Sequence, residues 1–148
     1  MIIVQTVVTA PKEKIWQYWN EPDHIKVWSH GSPDWYTPAA KNDLHVGGGF
    51  VTTMSAKDNS QKFDFEGTYT TVVPYELIEY TIADGRNVRV EFHTQGNTTT
   101  IVESFDTESE NSEEAQRQGW QMILDNFKAY VEKAASMWSR HGILIVPH

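Results

Sequence analysis

A long amphipathic helix near the C-terminal end is the feature that most constrains the fold of this chain. Apolar residues recur there at positions i, i+3, i+4, i+7, i+10, i+11 and i+14, which places them on one face of a helix: Trp120, Ile123, Leu124, Phe127, Tyr130, Val131 and Ala134. Asn111 can cap this helix, with Glu114 three residues later as in a capping box. We therefore predict a helix from about Ser112 to about Met137, long enough to cross a whole sheet.

The region before this helix has the pattern of an antiparallel meander. Runs rich in β-branched and aromatic residues cover Gly49–Ala56, Gln61–Val73, Glu76–Ile82, Asn87–Thr94 and Thr98–Asp106. The short segments between them contain Gly, Pro, Asn and Asp, which favour turns. Short turns predict that consecutive strands are neighbours in the sheet.

The N-terminal part predicts one strand and two short helices. Residues 2–9 form the strand, which ends at Ala10-Pro11. A short helix follows, with Ile15, Trp16 and Trp19 on one face and Lys12, Glu13, Lys14 and Gln17 in water. A second short helix, carrying Ile25 and Trp28, begins beyond Pro22. Residues 34–37, between Pro33 and Pro38, are expected to be irregular or an edge strand.

The order of these elements predicts an α+β fold in one domain. We assign the domain to residues 1–137 and a C-terminal tail to residues 138–148. The tail contains an apolar run. We expect this run to form either an additional edge strand or a contact with a neighbouring subunit, so the sequence allows both a monomer and a homodimer.

Composition excludes several functional classes. The chain has no cysteine, so disulfides, thiolate nucleophiles and cysteine-based metal sites are excluded, and a reducing, cytoplasmic location is expected. The net charge is −8 and the basic residues are scattered, which disfavours nucleic acid and anionic membranes. No segment has the roughly 20 apolar residues of a membrane span, and the first residues show no secretory leader.

Six short motifs, in this order, resemble the START/Bet v 1-like (SRPBCC) helix-grip superfamily, and within it the branch named for the activator of the Hsp90 ATPase homologue. They are Ala10-Pro11 with Ile15-Trp16, Glu21-Pro22 through His24 to Trp28, Val46 to Phe50, Phe65 to Tyr69, Pro74 with Tyr80-Thr81, and Gln118-Gly119-Trp120. The resemblance covers about residues 2–134. It implies a curved antiparallel sheet wrapped around the long C-terminal helix.

The resemblance also implies a cavity between sheet and helix that accommodates lipids, polyketides, flavonoid-like or other hydrophobic molecules. Proteins of this kind include ligand carriers, stress-response proteins, and some cyclases and hydrolases. The leading hypothesis is a hydrophobic-ligand protein without assigned catalysis. The alternatives are a cyclase or hydrolase acting on such a ligand, and an Hsp90 cofactor suggested by the branch name alone.

Large apolar side chains and one carboxyl group are the candidate ligand-binding residues. The chain has six Trp, six Tyr and six Phe, and large rings line cavities as well as cores. The candidates are Trp28, Trp35, Phe50, Met54, Phe63, Phe65, Tyr69, Phe92, Glu103, Trp120, Ile123 and Phe127. Core packing without a cavity is the alternative for the apolar ones.

Glu103 is the one charged candidate. It alternates in parity with Thr99, Ile101 and Phe105, which places its carboxyl on the apolar face of a strand. An inward carboxyl needs a partner or an elevated pKa, and it could anchor a ligand or act as acid or base with Tyr69 or Tyr80 as a hydrogen-bond donor. An exposed or paired position at an edge is the alternative.

Other polar residues and glycines carry weaker signals. His24 and His30 lack the spacing of a metal site, so structural or solvent-exposed histidines are expected, with no metal and no cofactor. The residues Gly47-Gly48-Gly49 lack the lysine of a phosphate loop and predict a tight turn or bulge. Gly67 could introduce a bulge, and Gly119 inside the last helix indicates either close approach of the backbone to the sheet or to a ligand, or tight packing alone.

Overall fold

The computed structural model describes residues 1–30 and 32–140, with side chains up to residue 135. Seven strands and three helices lie in these ranges. They are β1 (Ile2–Thr9), α1 (Lys12–Asn20), α2 (Pro22–Trp28), β2 (Trp35–Asn42), β3 (Gly49–Ala56), β4 (Lys62–Val73), β5 (Leu77–Ile82), β6 (Asn87–Gln95), β7 (Thr98–Phe105) and α3 (Glu113–Arg140). The predicted order of elements is confirmed.

All seven strands form one antiparallel sheet in the order β1-β7-β6-β5-β4-β3-β2. The strands from β2 to β7 are therefore a meander, as their short turns predict. β1 pairs with β7, from Ile2 opposite Phe105 to Thr9 opposite Thr98. The sheet curls into a half-barrel, and α3 lies along its concave side, which confirms the α+β helix-grip architecture.

The free edge of β1 is covered by α3. Side chains spaced along the helix bind successive backbone groups of this strand, at 2.6–3.1 Å. Arg117 donates to the carbonyl oxygen of Ile3, Gln121 to Gln5, and Lys128 to Val7, while Glu132 accepts from the backbone N–H of Thr9. The opposite edge strand, β2, contains Pro38 and a register shift between Tyr36 and Ala39.

The apolar face of α3 forms the centre of the core. Leu124, Phe127 and Val131 are fully buried, as the periodicity of the sequence predicts. The ring of Trp120 stacks on Phe105 of β7 at a centroid distance of 4.0 Å. Phe105 is itself fully buried, so this pair fixes the N-terminal half of α3 on the sheet.

Three local predictions are wrong. The cap of α3 is Ser112, whose hydroxyl oxygen accepts from the N–H of Ala115 at 3.1 Å, rather than Asn111. Lys14 is only 9% exposed instead of facing water, because its chain lies against the body of the protein with the amine donating to Gln17. The bulge of β4 falls between Tyr69 and Thr71, not at Gly67.

The end of α3 and the tail bear on where the domain ends. The helix continues to Arg140, three residues beyond the predicted end. For the apolar tail we predicted an edge strand or a subunit contact. From residue 141 onwards the tail lies outside the described residues. Within the described part of the chain, no helix is long and apolar enough to cross a membrane.

Gly48 is required by the tight turn before β3. A Cβ atom at this position would lie 2.2 Å from the backbone oxygen of Asp43, a contact that only movement of the backbone relieves. We predict that Gly48→Ala lowers the free energy of unfolding by about 1–3 kcal/mol, measured by urea denaturation. The matched control is Gly49→Ala, whose Cβ would lie 3.4 Å from the oxygen of Gly67; an equal loss in both variants would contradict the steric argument.

Candidate functional site

A cavity of about 560 Å³ lies between the concave face of the sheet and α3. Its wall contains most of the residues that the sequence singled out. These are Trp28, Trp35, Phe50, Met54, Phe63, Phe65, Tyr69, Glu103, Trp120 and Ile123. Alternation along the strands places the side chains of β3 and β4 on the same concave face, so residues distant in sequence meet there.

Two predicted residues, Phe92 and Phe127, do not line this cavity. Phe127 is fully buried and touches Trp19 and Trp28, each at a ring-centroid distance of 4.9 Å. Phe92 is 5% exposed and packs against Trp16 and Trp19. Both phenylalanines therefore support the tryptophans of the wall from behind.

Aromatic rings form a continuous apolar wall around the cavity. The ring of Phe50 lies 4.8 Å from Tyr80 and 5.6 Å from Phe65. Phe65 in turn lies 6.1 Å from Trp120 of α3, in an edge-to-face arrangement. Because these rings come from β3, β4, β5 and α3, the wall joins the sheet to the helix.

A short polar chain crosses one side of the cavity. The hydroxyl of Tyr69 donates to the side-chain oxygen of Asn42, and the amide of Asn42 donates to the backbone oxygen of Asn20 at 2.7 Å. Burial raises the pKa of Tyr69, so its hydroxyl keeps its proton at neutral pH. These groups satisfy one another and link β4 to β2 and the end of α1.

Glu103 lies on the concave face of β7 and is 5% exposed, which confirms the inward orientation predicted from its parity. Burial raises the pKa of its carboxyl to about 8. Among the described residues, no group forms a hydrogen bond or ion pair with this carboxyl. A buried carboxyl without a partner stays protonated at neutral pH and can donate a hydrogen bond.

Gly119 leaves part of the cavity open. A Cβ atom at this position would meet nothing within 4 Å, and the residue lines the cavity. The helix backbone therefore does not pack closely on the sheet here, which excludes the tight packing that the sequence left open. The absence of a side chain contributes to the empty volume instead.

The family model described as Activator of Hsp90 ATPase homolog 1-like protein matches residues 9–132. The chain belongs to the AHSA1-like family. This confirms the resemblance seen in the short motifs. Among curated proteins, no match was found.

Solved structures of bacterial relatives share the fold of this AHSA1-like protein. A solution structure from Cytophaga hutchinsonii is 55% identical, with 91% of this chain and 94% of that chain covered and a TM-score of 0.78. The solution structure of an AHSA1-like protein from Aeromonas hydrophila is 40% identical, with 90% and 94% covered and a TM-score of 0.82. A crystal structure from Chromobacterium violaceum is 24% identical and has a TM-score of 0.76, with 88% and 96% covered.

Several cavity residues of this AHSA1-like protein were missed as ligand-binding candidates by sequence reasoning. Ile78 shares the parity of the buried Ile82, so strand alternation could have identified it. Tyr80 has the same parity and was predicted only as a hydrogen-bond donor for the alternative catalytic function. Trp19 and Ile25 were recognised only as apolar helix faces. The remaining lining residues carry no signal of their own in the sequence: Asn20, Ser29, Ser32, Asn42, Thr52, Arg86, Glu108, Asn111, Ala115 and Gln116.

The two histidines considered for a metal lie apart from the cavity wall. His24 stacks on Tyr18, and its Nδ1 atom lies 2.6 Å from the hydroxyl of Tyr130. Burial lowers the pKa of His30, whose backbone oxygen accepts from Asn126. The part of the chain that the structure describes contains no group of three or more His, Asp or Glu side chains able to hold a metal ion.

Proposed function

We propose that this AHSA1-like protein binds a small hydrophobic molecule in the cavity between the sheet and α3. The observation that carries the proposal is the cavity itself, with about 560 Å³ and a largely aromatic wall. Ligand sites are commonly about 300–1,000 Å³ in volume, apolar, and furnished with a few polar groups. Lipids, polyketide-like compounds and flavonoid-like aromatics are the ligand classes to test.

The distribution of apolar and polar groups in the cavity wall also supports a binding function. Most of the wall is apolar, so water inside gains few hydrogen bonds, and an apolar ligand that displaces it gains burial free energy. The inward Glu103 carboxyl supplies a fixed polar contact. Such an arrangement selects ligands mainly by their shape, and in addition by one polar group that contacts Glu103.

Filling the space at Gly119 should weaken ligand binding. We expect Gly119→Leu to weaken binding at least about tenfold because the new side chain occupies the cavity, whereas Gly119→Ala should raise the stability by about 1 kcal/mol and retain binding. The measurement is a thermal-shift screen of fatty acids, sterols, flavonoids and polyketide-like aromatics. A ligand at 100 times its Kd stabilises by about 2.7 kcal/mol. Equal shifts in the leucine and alanine variants would contradict binding in this cavity.

A second candidate function, acid–base catalysis on the bound molecule, is favoured by Glu103. A pKa of about 8 places this carboxyl near neutral pH, where a general acid is effective. The test is to incubate each ligand that binds with the wild-type protein and with Glu103→Gln. Product formed by the wild-type protein alone would support an enzyme, and unchanged ligand in both would support a binding protein.

A further inference from the structure

We propose that Glu103 and Tyr80 together bind an acceptor oxygen of the ligand, so that the cavity selects neutral apolar molecules carrying a carbonyl group. This inference rests on the proposed function and specifies its ligand class. Both residues line the cavity, Glu103 from β7 and Tyr80 from β5. They are separated by β6.

The sheet register places Glu103 and Tyr80 on one face, on either side of β6 and in neighbouring rows of side chains. On the concave face, Val90 of β6 lies between Ile78 and Glu103, and Val88 lies between Tyr80 and Phe105. Both valines are buried and short, at 2% and 0% exposure for Val88 and Val90. These short side chains leave the space above β6 open to the longer side chains of Glu103 and Tyr80.

A negative charge on Glu103 acts on the Tyr80 hydroxyl. Burial raises the pKa of Tyr80 well above its ordinary value, and the charge of Glu103 raises it further. In the described part of the chain, the Tyr80 hydroxyl has no hydrogen-bond partner, and neither has the Glu103 carboxyl. At neutral pH the site thus contains two O–H donors, neither of which forms a hydrogen bond within the described part of the chain.

The other titratable side chains of the cavity wall do not supply that acceptor. They are Tyr69, Arg86 and Glu108. The Tyr69 hydroxyl already donates to Asn42, and the Arg86 guanidinium is paired with Asp84 at 2.9 Å. The Glu108 carboxylate accepts from the backbone N–H groups of Glu110 and Asn111. Both groups face the cavity, so a ligand that fills it must supply an acceptor, because a donor buried without a partner costs free energy. A carbonyl oxygen has the two lone pairs that this pair of donors requires.

Three probes with one carbon skeleton test the inference: fluorene, 9-fluorenone and 9-aminofluorene. We expect fluorenone to bind about tenfold more tightly than fluorene at pH 6, as two hydrogen bonds would give. At pH 9.5 the preference should shrink several-fold, because an ionised carboxyl repels the carbonyl oxygen while Tyr80 still donates. Binding is measured by quenching of tryptophan fluorescence and confirmed by calorimetry.

Variants separate the two donors. Glu103→Gln retains an N–H donor, so the preference for fluorenone should persist and lose its dependence on pH. Glu103→Leu and Tyr80→Phe should each reduce the preference several-fold while fluorene still binds. Gly119→Leu is the control for the site, because it should weaken binding of all three probes at least about tenfold.

The outcomes distinguish this inference from the proposed function. Equal affinity for fluorene and fluorenone, with both weakened in Gly119→Leu, would overturn the role of the two donors and leave the hydrophobic site in place. Tightest binding of 9-aminofluorene, lost in Glu103→Gln, would overturn it in favour of a carboxylate that binds a cation. Failure of all three probes to bind would count against both proposals.

Discussion

Replacing Glu103 by glutamine should stabilise the protein progressively as the pH rises from 5 to 8, by about 4 kcal/mol over that range. In the unfolded chain a glutamate releases its proton near pH 4.5, whereas in the folded protein burial raises the pKa of Glu103 to about 8. Between these values the unfolded state binds fewer protons than the folded state, so the free energy of unfolding falls by about 1.4 kcal/mol per pH unit. Glutamine does not ionise, so the free energy of unfolding of the variant does not fall in this way.

The measurement is urea denaturation of both proteins at pH 5, 6, 7, 8 and 9. The difference in free energy of unfolding between Glu103→Gln and wild type should increase up to pH 8 and then level off, because both states are ionised above the folded pKa. Taking the difference cancels the titration of the remaining groups. Glu66→Gln is a matched control, since Glu66 is an exposed carboxylate on β4. A difference that stays constant with pH would show that Glu103 is not buried as described.

Truncation of Phe127 should produce a loss of stability of similar size. Its ring is fully buried and lies 4.9 Å from both Trp19 and Trp28. We expect Phe127→Ala to lower the free energy of unfolding by about 3–5 kcal/mol, because the variant loses apolar burial and leaves an empty space. Urea denaturation followed by far-ultraviolet circular dichroism measures the loss independently of the tryptophans.

Phe63→Ala is the control for this experiment. Phe63 lines the cavity but is 49% exposed, so its truncation should cost less than about 1 kcal/mol of stability. The pair therefore separates residues that support the fold from residues that only border the cavity. A loss below about 1 kcal/mol in Phe127→Ala would contradict the central position assigned to its ring.

The strands and α3 were predictable because each buries one face. Alternation along β6 places Val88, Val90 and Phe92 in the core, and the 3.6-residue period of α3 does the same for its apolar side. The helix cap was not predictable in the same way. Asn111 and Ser112 are adjacent and both suit a cap. In the structure Ser112 caps the helix, while the backbone N–H of Asn111 donates to Glu108 and its backbone oxygen accepts from the side chain of Gln116.

The sequence pattern could identify which residues face the interior, but not whether each one borders the cavity or packs in the core behind it. Phe127 and Ile123 both lie on the apolar face of α3, yet only Ile123 borders the cavity. Phe127 faces the point where α1 and α2 close against the helix, and such contacts depend on how three helices cross. Gly119 is a second example. A glycine in a helix allows either close packing on the sheet or an open space, and only the curvature of the sheet decides between them.

The helix side chains that bind the edge of β1 also affect how copies of this chain meet one another. An open strand edge is a template for pairing with another molecule, and long exposed edges promote aggregation. At β1 the outward backbone groups of Ile3, Gln5 and Val7 are already occupied by α3, and at β2 a proline and a register shift interrupt the ladder. Pairing of another molecule with the β1 edge would therefore have to begin with detachment of α3, so the stability of that helix sets the resistance of this edge to intermolecular pairing.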